Sequence, residues 1–179
     1  MGDSAFRSVL THPCLASRRV QLPLSSGTVF SMEDATNLET SLQACYGSIP
    51  GQGLAVRTGR AAFKYLLRDF GSRLGITSLE FRMTPLLQRI RIGSERLAAL
   101  INGQGSQPVS FENLYDRIDW RLEIKPGHPG ITSCHLLGGL LQESLTWMSA
   151  GKSYVMEETS CITRGDELCI LHFQAYSAY

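Results

Sequence analysis

The residues best suited to chemistry lie in the stretch YVMEETSCITRGDELCILHF, residues 154–173. Cys161 and Cys169 stand one on each of two strand-like runs and bracket Arg164-Gly165-Asp166. Gly165 supplies a positive-φ position at no steric cost and Asp166 tolerates one, so the segment reads as a β-hairpin. A hairpin pairs its two runs, which brings the two thiols together. An acidic pair, Glu157 and Glu158, lies just upstream. Two thiols and a carboxylate make up three of the four ligands of a tetrahedral zinc site.

Cys134 is the candidate for the fourth. It falls in the first turn of a helix-like run, Ile131 to Ala150, on the side that carries Leu137, Leu141, Leu145 and Met148. A set of Cys134, Glu158, Cys161 and Cys169 uses all four positions of the metal and leaves none for water. Such a site is structural, and it would clip the helix to the hairpin. Two other readings compete on the residues alone. Buried cysteine is a common small apolar filler. A Cys161–Cys169 disulfide across the hairpin is also possible, since bridged Cα atoms lie about 4.4–6.8 Å apart.

The elements that must position these groups follow from periodicity. Residues 1–30 read as an extension with a short edge strand at RVQLPL (19–24), and residues 31–179 as the domain proper. Ser31 is a good N-cap for a helix to Cys45 with Ala35, Leu38, Leu42 and Cys45 on its apolar face. The run from Tyr46 to Gly51 should end it. Residues 52–74 carry Phe63, Leu66, Leu67, Phe70 and Leu74 at helical spacing, with Arg57, Arg60, Lys64 and Arg68 on a solvated opposite face. Gly59 within this helix allows a close backbone approach, and Gly75 suits its end. Thr84-Pro85 starts a further helix through Leu86, Ile90, Leu97 and Ile101, while Ile76–Met83 is ambiguous. Val109–Phe111 and Arg117–Lys125 are strands; in the second, Ile118, Trp120, Leu122 and Ile124 make a dry face and Asp119, Arg121 and Glu123 a wet one. The run from Ile131 is apolar nearly all round and therefore buried, with Gly138 and Gly139 implying tight packing. The order predicts an α+β domain, with an antiparallel sheet covered by helices on one face.

Composition excludes several functions. The chain has 179 residues, 43% of them hydrophobic, and a net charge of +1. That balance argues against a general nucleic-acid or anionic-membrane binder. No apolar run approaches the roughly 18 residues of a membrane helix, and the first residues lack the apolar segment of a signal peptide. Five cysteines without a secretion signal point to a reducing compartment, here the cytoplasm, in which thiols serve as core residues, ligands or nucleophiles in preference to disulfides.

The segment from Cys134 to Phe173, with Cys134, a Gly-bearing helix, Gly151, then Glu-x-x-Cys and Gly-x-x-x-Cys, resembles the signature of the 4-vinyl reductase domain family. GLAVRTGRAAFKYLL with the following Phe70-Gly71 adds a weaker likeness upstream, so the resemblance covers roughly residues 50–175. These domains occur in hydrocarbon-binding proteins, in accessory proteins of bacteriochlorophyll biosynthesis and in phenol-responsive activators. The resemblance implies a fold shared with heme-based nitric-oxide sensors and Golgi-trafficking subunits, commonly as a homodimer. It implies structural zinc on Cys134, Glu158, Cys161 and Cys169. The Cys134-to-Glu158 gap is one residue longer than in the sensors, which keeps Glu157 in competition.

An enzyme is poorly supported. There is no GxGxxG opening a helix after a strand, no Ser-His-Asp order, and no two-histidine metal motif. His12, His128, His135 and His172 are scattered; His135 adjoins Cys134, and His172 should point to the sheet face opposite Cys169. A binding module fits better, since such sites are apolar with few polar anchors. Trp120, His128, Trp147, Phe111 and Tyr115 are the candidates to contact a small apolar or aromatic ligand. No His–Trp pair matches the phenol-holding pair of the sensors. The expected function is a small-molecule binding or sensing module with structural zinc. The alternatives are an accessory protein presenting a vinyl tetrapyrrole to a reductase, and a dimeric scaffold without ligand.

Overall fold

A computed structural model describes residues 32–103, 108–114, 117–123 and 134–176. Five helices and a four-stranded antiparallel sheet make up the described chain. The helices are α1 (Met32–Tyr46), α2 (Ser48–Phe70), α3 (Leu79–Met83), α4 (Leu86–Gly103) and α5 (His135–Met148). The strands are β1 (Val109–Asn113), β2 (Arg117–Glu123), β3 (Tyr154–Ser160) and β4 (Leu168–Ala175), in the order β1-β2-β4-β3. The expected α+β architecture is present. The expected N-terminal extension and its edge strand lie outside the described residues.

Alternation puts one side of every strand under the helices. Val109 and Phe111, Ile118, Trp120 and Leu122, Cys169, Leu171 and Phe173, and Met156 and Glu158 share that side through the registers Phe111↔Trp120, Trp120↔Leu171 and Glu158↔Leu171. Against it lies α5, whose Leu137, Leu141, Leu145 and Met148 are buried in the same core cluster. The opposite face carries the row Glu112, Asp119, His172 and Glu157. One residue of that wet face departs from expectation. Asp119 is only 4% exposed, because His172 Nδ1 lies 2.5 Å and Arg117 Nε 3.4 Å from its Oδ1. A carboxylate with such partners tolerates burial.

Two further differences have clear causes. The run Tyr46–Gly51 does not separate two helices by a long loop: Gly47 alone, at φ 86°, turns the chain, and α2 begins at Ser48. Pro50 is then in the first turn, where its missing N–H is not needed. Gly51 serves as a contact point, since a Cβ there would lie 2.5 Å from the Gln43 Cα of α1. At the other end α2 stops at Phe70, not at Leu74, and the ambiguous segment resolves into a turn and the short α3, whose N-cap Ser78 accepts the Phe81 N–H.

The crossing of α2 and α5 sets the helical layer. A Cβ on Gly59 would lie 1.8 Å from the Leu136 carbonyl oxygen, and one on Gly139 would lie 2.1 Å from that of Val56. The two helices therefore touch backbone to backbone, as the glycines implied. Gly138 faces the other way, where a Cβ would meet the Met156 sulfur at 2.2 Å. α5 thus meets α2 through backbone contacts that no larger residue permits, and the flexible Met156 side chain on its other side. The expected basic face of α2 is exposed at Arg57, Arg60, Lys64 and Arg68.

Gly59→Ala and Gly139→Ala should each lower stability by about 2–3 kcal/mol, the scale of overpacking against atoms that cannot yield. Gly53→Ala, where a Cβ meets nothing within 4 Å, should raise it by about 0.5–1 kcal/mol through helix propensity. Urea midpoints of the three variants check this.

Candidate metal centre

The hairpin forms, with a short 3-10 turn at Ile162–Arg164 between β3 and β4. Gly165 closes it at φ 95°, and the Asp166 carboxylate accepts the Cys161 N–H at 2.7 Å. Cys161 immediately follows β3, and Cys169 is the second residue of β4. Their sulfurs lie 3.9 Å apart. Two sulfurs about 2.3 Å from a tetrahedral zinc would be separated by about 3.8 Å.

Cys134 reaches the same point from the start of α5. It occupies the N-cap position, and its side chain makes no cap hydrogen bond. The sulfurs of Cys134, Cys161 and Cys169 and a carboxylate oxygen of Glu158 all lie within 4.8 Å of one another. The three thiols are free and buried. Glu157 is on the opposite sheet face, exposed and paired in register with His172, so alternation directs it away from the cluster. Glu158 Oε1 is buried without a hydrogen-bond partner, while Arg164 reaches the other oxygen at 3.9 Å and the Glu158 carbonyl at 3.2 Å. A buried acceptor oxygen without a hydrogen-bond donor is costly. Cys45, on α1, lies outside the cluster.

The protons of the cluster are shared unevenly. The Cys134 thiol donates toward Cys169, and this bond, followed by the Ile162 N–H and Cys161, pulls Cys169 down to about 6 against the opposing cost of burial. The same bond, then desolvation, pushes Cys134 strongly up. Burial is the chief cause of the rise at Cys161. Three thiols and a carboxylate in one small volume thus hold negative charge with difficulty by themselves. A divalent cation reverses that logic, because coordinated thiols deprotonate.

Behind the cluster lies a pair that periodicity did not single out. Glu39 of α1 is fully buried; its Oε1 is 2.8 Å from His135 Nδ1, and its Oε2 accepts the Leu136 N–H at 3.1 Å. The hydrogen bond to Glu39 raises the His135 pKa against desolvation. A signal for it was present in the sequence: Glu39 sits at helical spacing within the apolar stripe of Ala35, Leu38 and Leu42, and a carboxylate on a buried face requires a partner. His172 is on the opposite sheet face, as its spacing from Cys169 implied.

The aromatic candidates divide into two groups. Trp120 is fully buried with its ring centroid 5.3 Å from that of Phe111, and its Nε1 has no hydrogen-bond partner. Trp147 stacks on Phe81 at 6.1 Å and approaches Phe63 at 6.4 Å. With Phe81, Arg82, Arg89 and Ala150 it lines an open groove of about 260 Å³. A second open groove, of about 510 Å³, lies by Arg73 and Arg96. Neither is lined by Trp120 or Phe111. Tyr115 and His128 lie outside the described residues.

The sequence matches no protein-family profile and no curated protein. Solved structures do match. An H-NOX protein from S. oneidensis in the Fe(II) ligation state aligns with 98% of this chain and 88% of its own at a TM-score of 0.59 and 11% identity. The phenol-responsive sensory domain of the transcription activator PoxR, solved with phenol, aligns over 97% of this chain and 92% of its own at 0.57 and 14%. An unliganded Fe(II) H-NOX protein from K. algicida aligns over 98% and 95% at 0.55 and 10%. At such identities the likeness is one of fold, and the chain has the fold that H-NOX proteins share with the PoxR sensory domain.

Proposed function

We propose that this chain is a small-molecule sensing domain whose hairpin is held to α5 by a structural zinc ion. The fold supports the first part: among its relatives are a phenol-responsive domain and gas-ligated Fe(II) proteins. The observation that carries the ligand reading is the pair of buried polar groups without partners in the apolar layer. Trp120 Nε1 on β2 and Ser94 Oγ on α4 are both orphaned. Ser94 is flanked by Ile90, Leu97 and Ala98, which belong to the same core cluster as Trp120. Each unpaired group costs about 1–3 kcal/mol. A small apolar ligand with one oxygen would relieve the cost at Trp120 Nε1 while keeping the rest of its surface against Phe111 and its neighbours.

The zinc reading rests on the donor set. Three sulfurs and the orphaned Glu158 oxygen fit the ion's preference for S and O ligands. Zinc there would supply charge neutralisation and a crosslink between α5, β3 and β4, with no open position for chemistry. Heme, which the likeness to nitric-oxide sensors raises, would find no axial ligand on α4. Helix α4 carries no His, Cys, Met or Tyr. Gly93 of α4 packs so closely on α5 that a Cβ would meet the Met148 sulfur at 2.0 Å. The accessory role in bacteriochlorophyll synthesis and the ligand-free scaffold draw on no observation of this kind. Homodimerisation remains part of the proposal, to be read from the mass in solution.

Purified protein should carry one zinc per chain by elemental analysis. Cys161→Ser should lose metal and thermal stability together, since metal binding is coupled to folding; full metal retention by that variant would refute the ligand set. For the pocket, phenol and related small hydroxylated aromatics should quench tryptophan fluorescence and raise the melting temperature. Trp120→Phe, which keeps the ring and removes the N–H, should weaken binding about tenfold, the value of one hydrogen bond. Unaltered affinity in that variant, or no response to any of these compounds, would sink the assignment of Trp120.

A further inference from the structure

The first backbone N–H groups of a helix have no intrahelical partner, and the N-cap side chain usually supplies one. At α5 the N-cap is Cys134, which gives no such bond because its sulfur belongs to the cluster. The bond comes instead from Glu39, remote in sequence on α1, which accepts the Leu136 N–H through Oε2 and engages His135 through Oε1. We propose that Glu39 is a positioning residue for the metal centre: it caps α5 in place of Cys134, frees that thiol for the metal, and so couples metal binding to the docking of α1.

This inference rests on the zinc reading above. Its geometry has two strands. The first is the cap itself, which fixes the backbone of residues 135 and 136 and hence the direction in which Cys134 enters the cluster. The second is packing. Leu38 and Leu42 of α1 are buried in a small cluster with Ala55 and Leu136, separate from the main core. Leu136 belongs to both contacts: its side chain lies with α1, and its N–H is held by Glu39. A shift in the first turn of α5 therefore reaches α1 through a hydrogen bond and through an apolar contact at once. Linkage then requires reciprocity: if metal orders the start of α5 and so tightens α1, docking of α1 must strengthen metal binding by the same factor.

Hydrogen exchange on the full chain, zinc-loaded and chelator-stripped, provides the test, together with zinc affinity by competition against a chromophoric chelator. Stripping should speed exchange of the amides of residues 38–46 at least tenfold while leaving β1 little changed. Glu39→Leu should weaken zinc 10- to 100-fold, the usual effect of losing a group that orients a ligand, and should make α1 exchange indifferent to zinc. Glu39→Gln keeps an oxygen for the Leu136 N–H and should fall between. A merely structural Glu39 would lower the melting temperature without making α1 respond to metal. Wild-type α1 exchange that ignores zinc, or wild-type affinity in Glu39→Leu, overturns the coupling. Should Glu39→Leu fail to fold, the wild-type exchange comparison decides alone. Wild-type protein that binds no zinc overturns the zinc reading itself and this inference with it; zinc binding with an indifferent α1 overturns only this one.

Discussion

The rest of the structure depends on how closely α5 can approach its neighbours. Gly139 and Gly59 let α5 and α2 meet at the backbone, and Gly138 lets the Met156 side chain press against the other side of α5. A helix apolar nearly all round can only be buried, but burial alone leaves its height and rotation free. The glycines remove that freedom. They place the start of α5 above the turn end of the hairpin, where Cys134 meets Cys161, Cys169 and Glu158. The cluster is a consequence of the same contacts that close the core.

Electrostatics then distinguishes this corner from the remainder of the core. Elsewhere the core is mostly apolar, and among the described residues Trp120 Nε1 and Ser94 Oγ are its other buried side-chain atoms without partners. Here three thiols and a carboxylate share one volume, with Cys169 pulled toward the thiolate and Cys134 and Cys161 held against ionisation. The Glu158 oxygen left without a partner marks the same deficit of positive charge. By contrast, the buried carboxylates Asp119 and Glu39 are each satisfied, by His172 and Arg117 and by His135 and the Leu136 N–H. Glu158, half-buried among the thiols, has the Arg164 guanidinium no closer than 3.9 Å to its carboxylate.

Much of the architecture was legible from local pattern. The stripe of Phe63, Leu66 and Leu67, the alternation of Ile118, Trp120 and Leu122, and the Gly165 turn each have one physical solution, and each formed. Strand parity alone sides Cys161 with Glu157, four positions back; the register shift between Glu158 and Ser160, with Glu158 opposite Leu171, instead brings Glu158 to the side of Cys169. The limits of α2 were misread for a definable reason. Pro50 and Gly51 look like breakers when taken singly. In the first turn of a helix one is harmless and the other is needed for contact with Gln43.

What the sequence determined by itself was therefore the period of each element and the pairing of the hairpin that brings Cys161 and Cys169 together, because these depend on neighbours a few residues apart. Tertiary structure alone decided three things. It brought Glu39 to the N-terminus of α5 from 97 residues away, it buried Asp119 on a face that alternation assigns to water, and it left Trp120 Nε1 and Ser94 Oγ without partners in a closed apolar layer. Whether a polar atom is satisfied depends on which distant residue lies opposite it, and no local period carries that information.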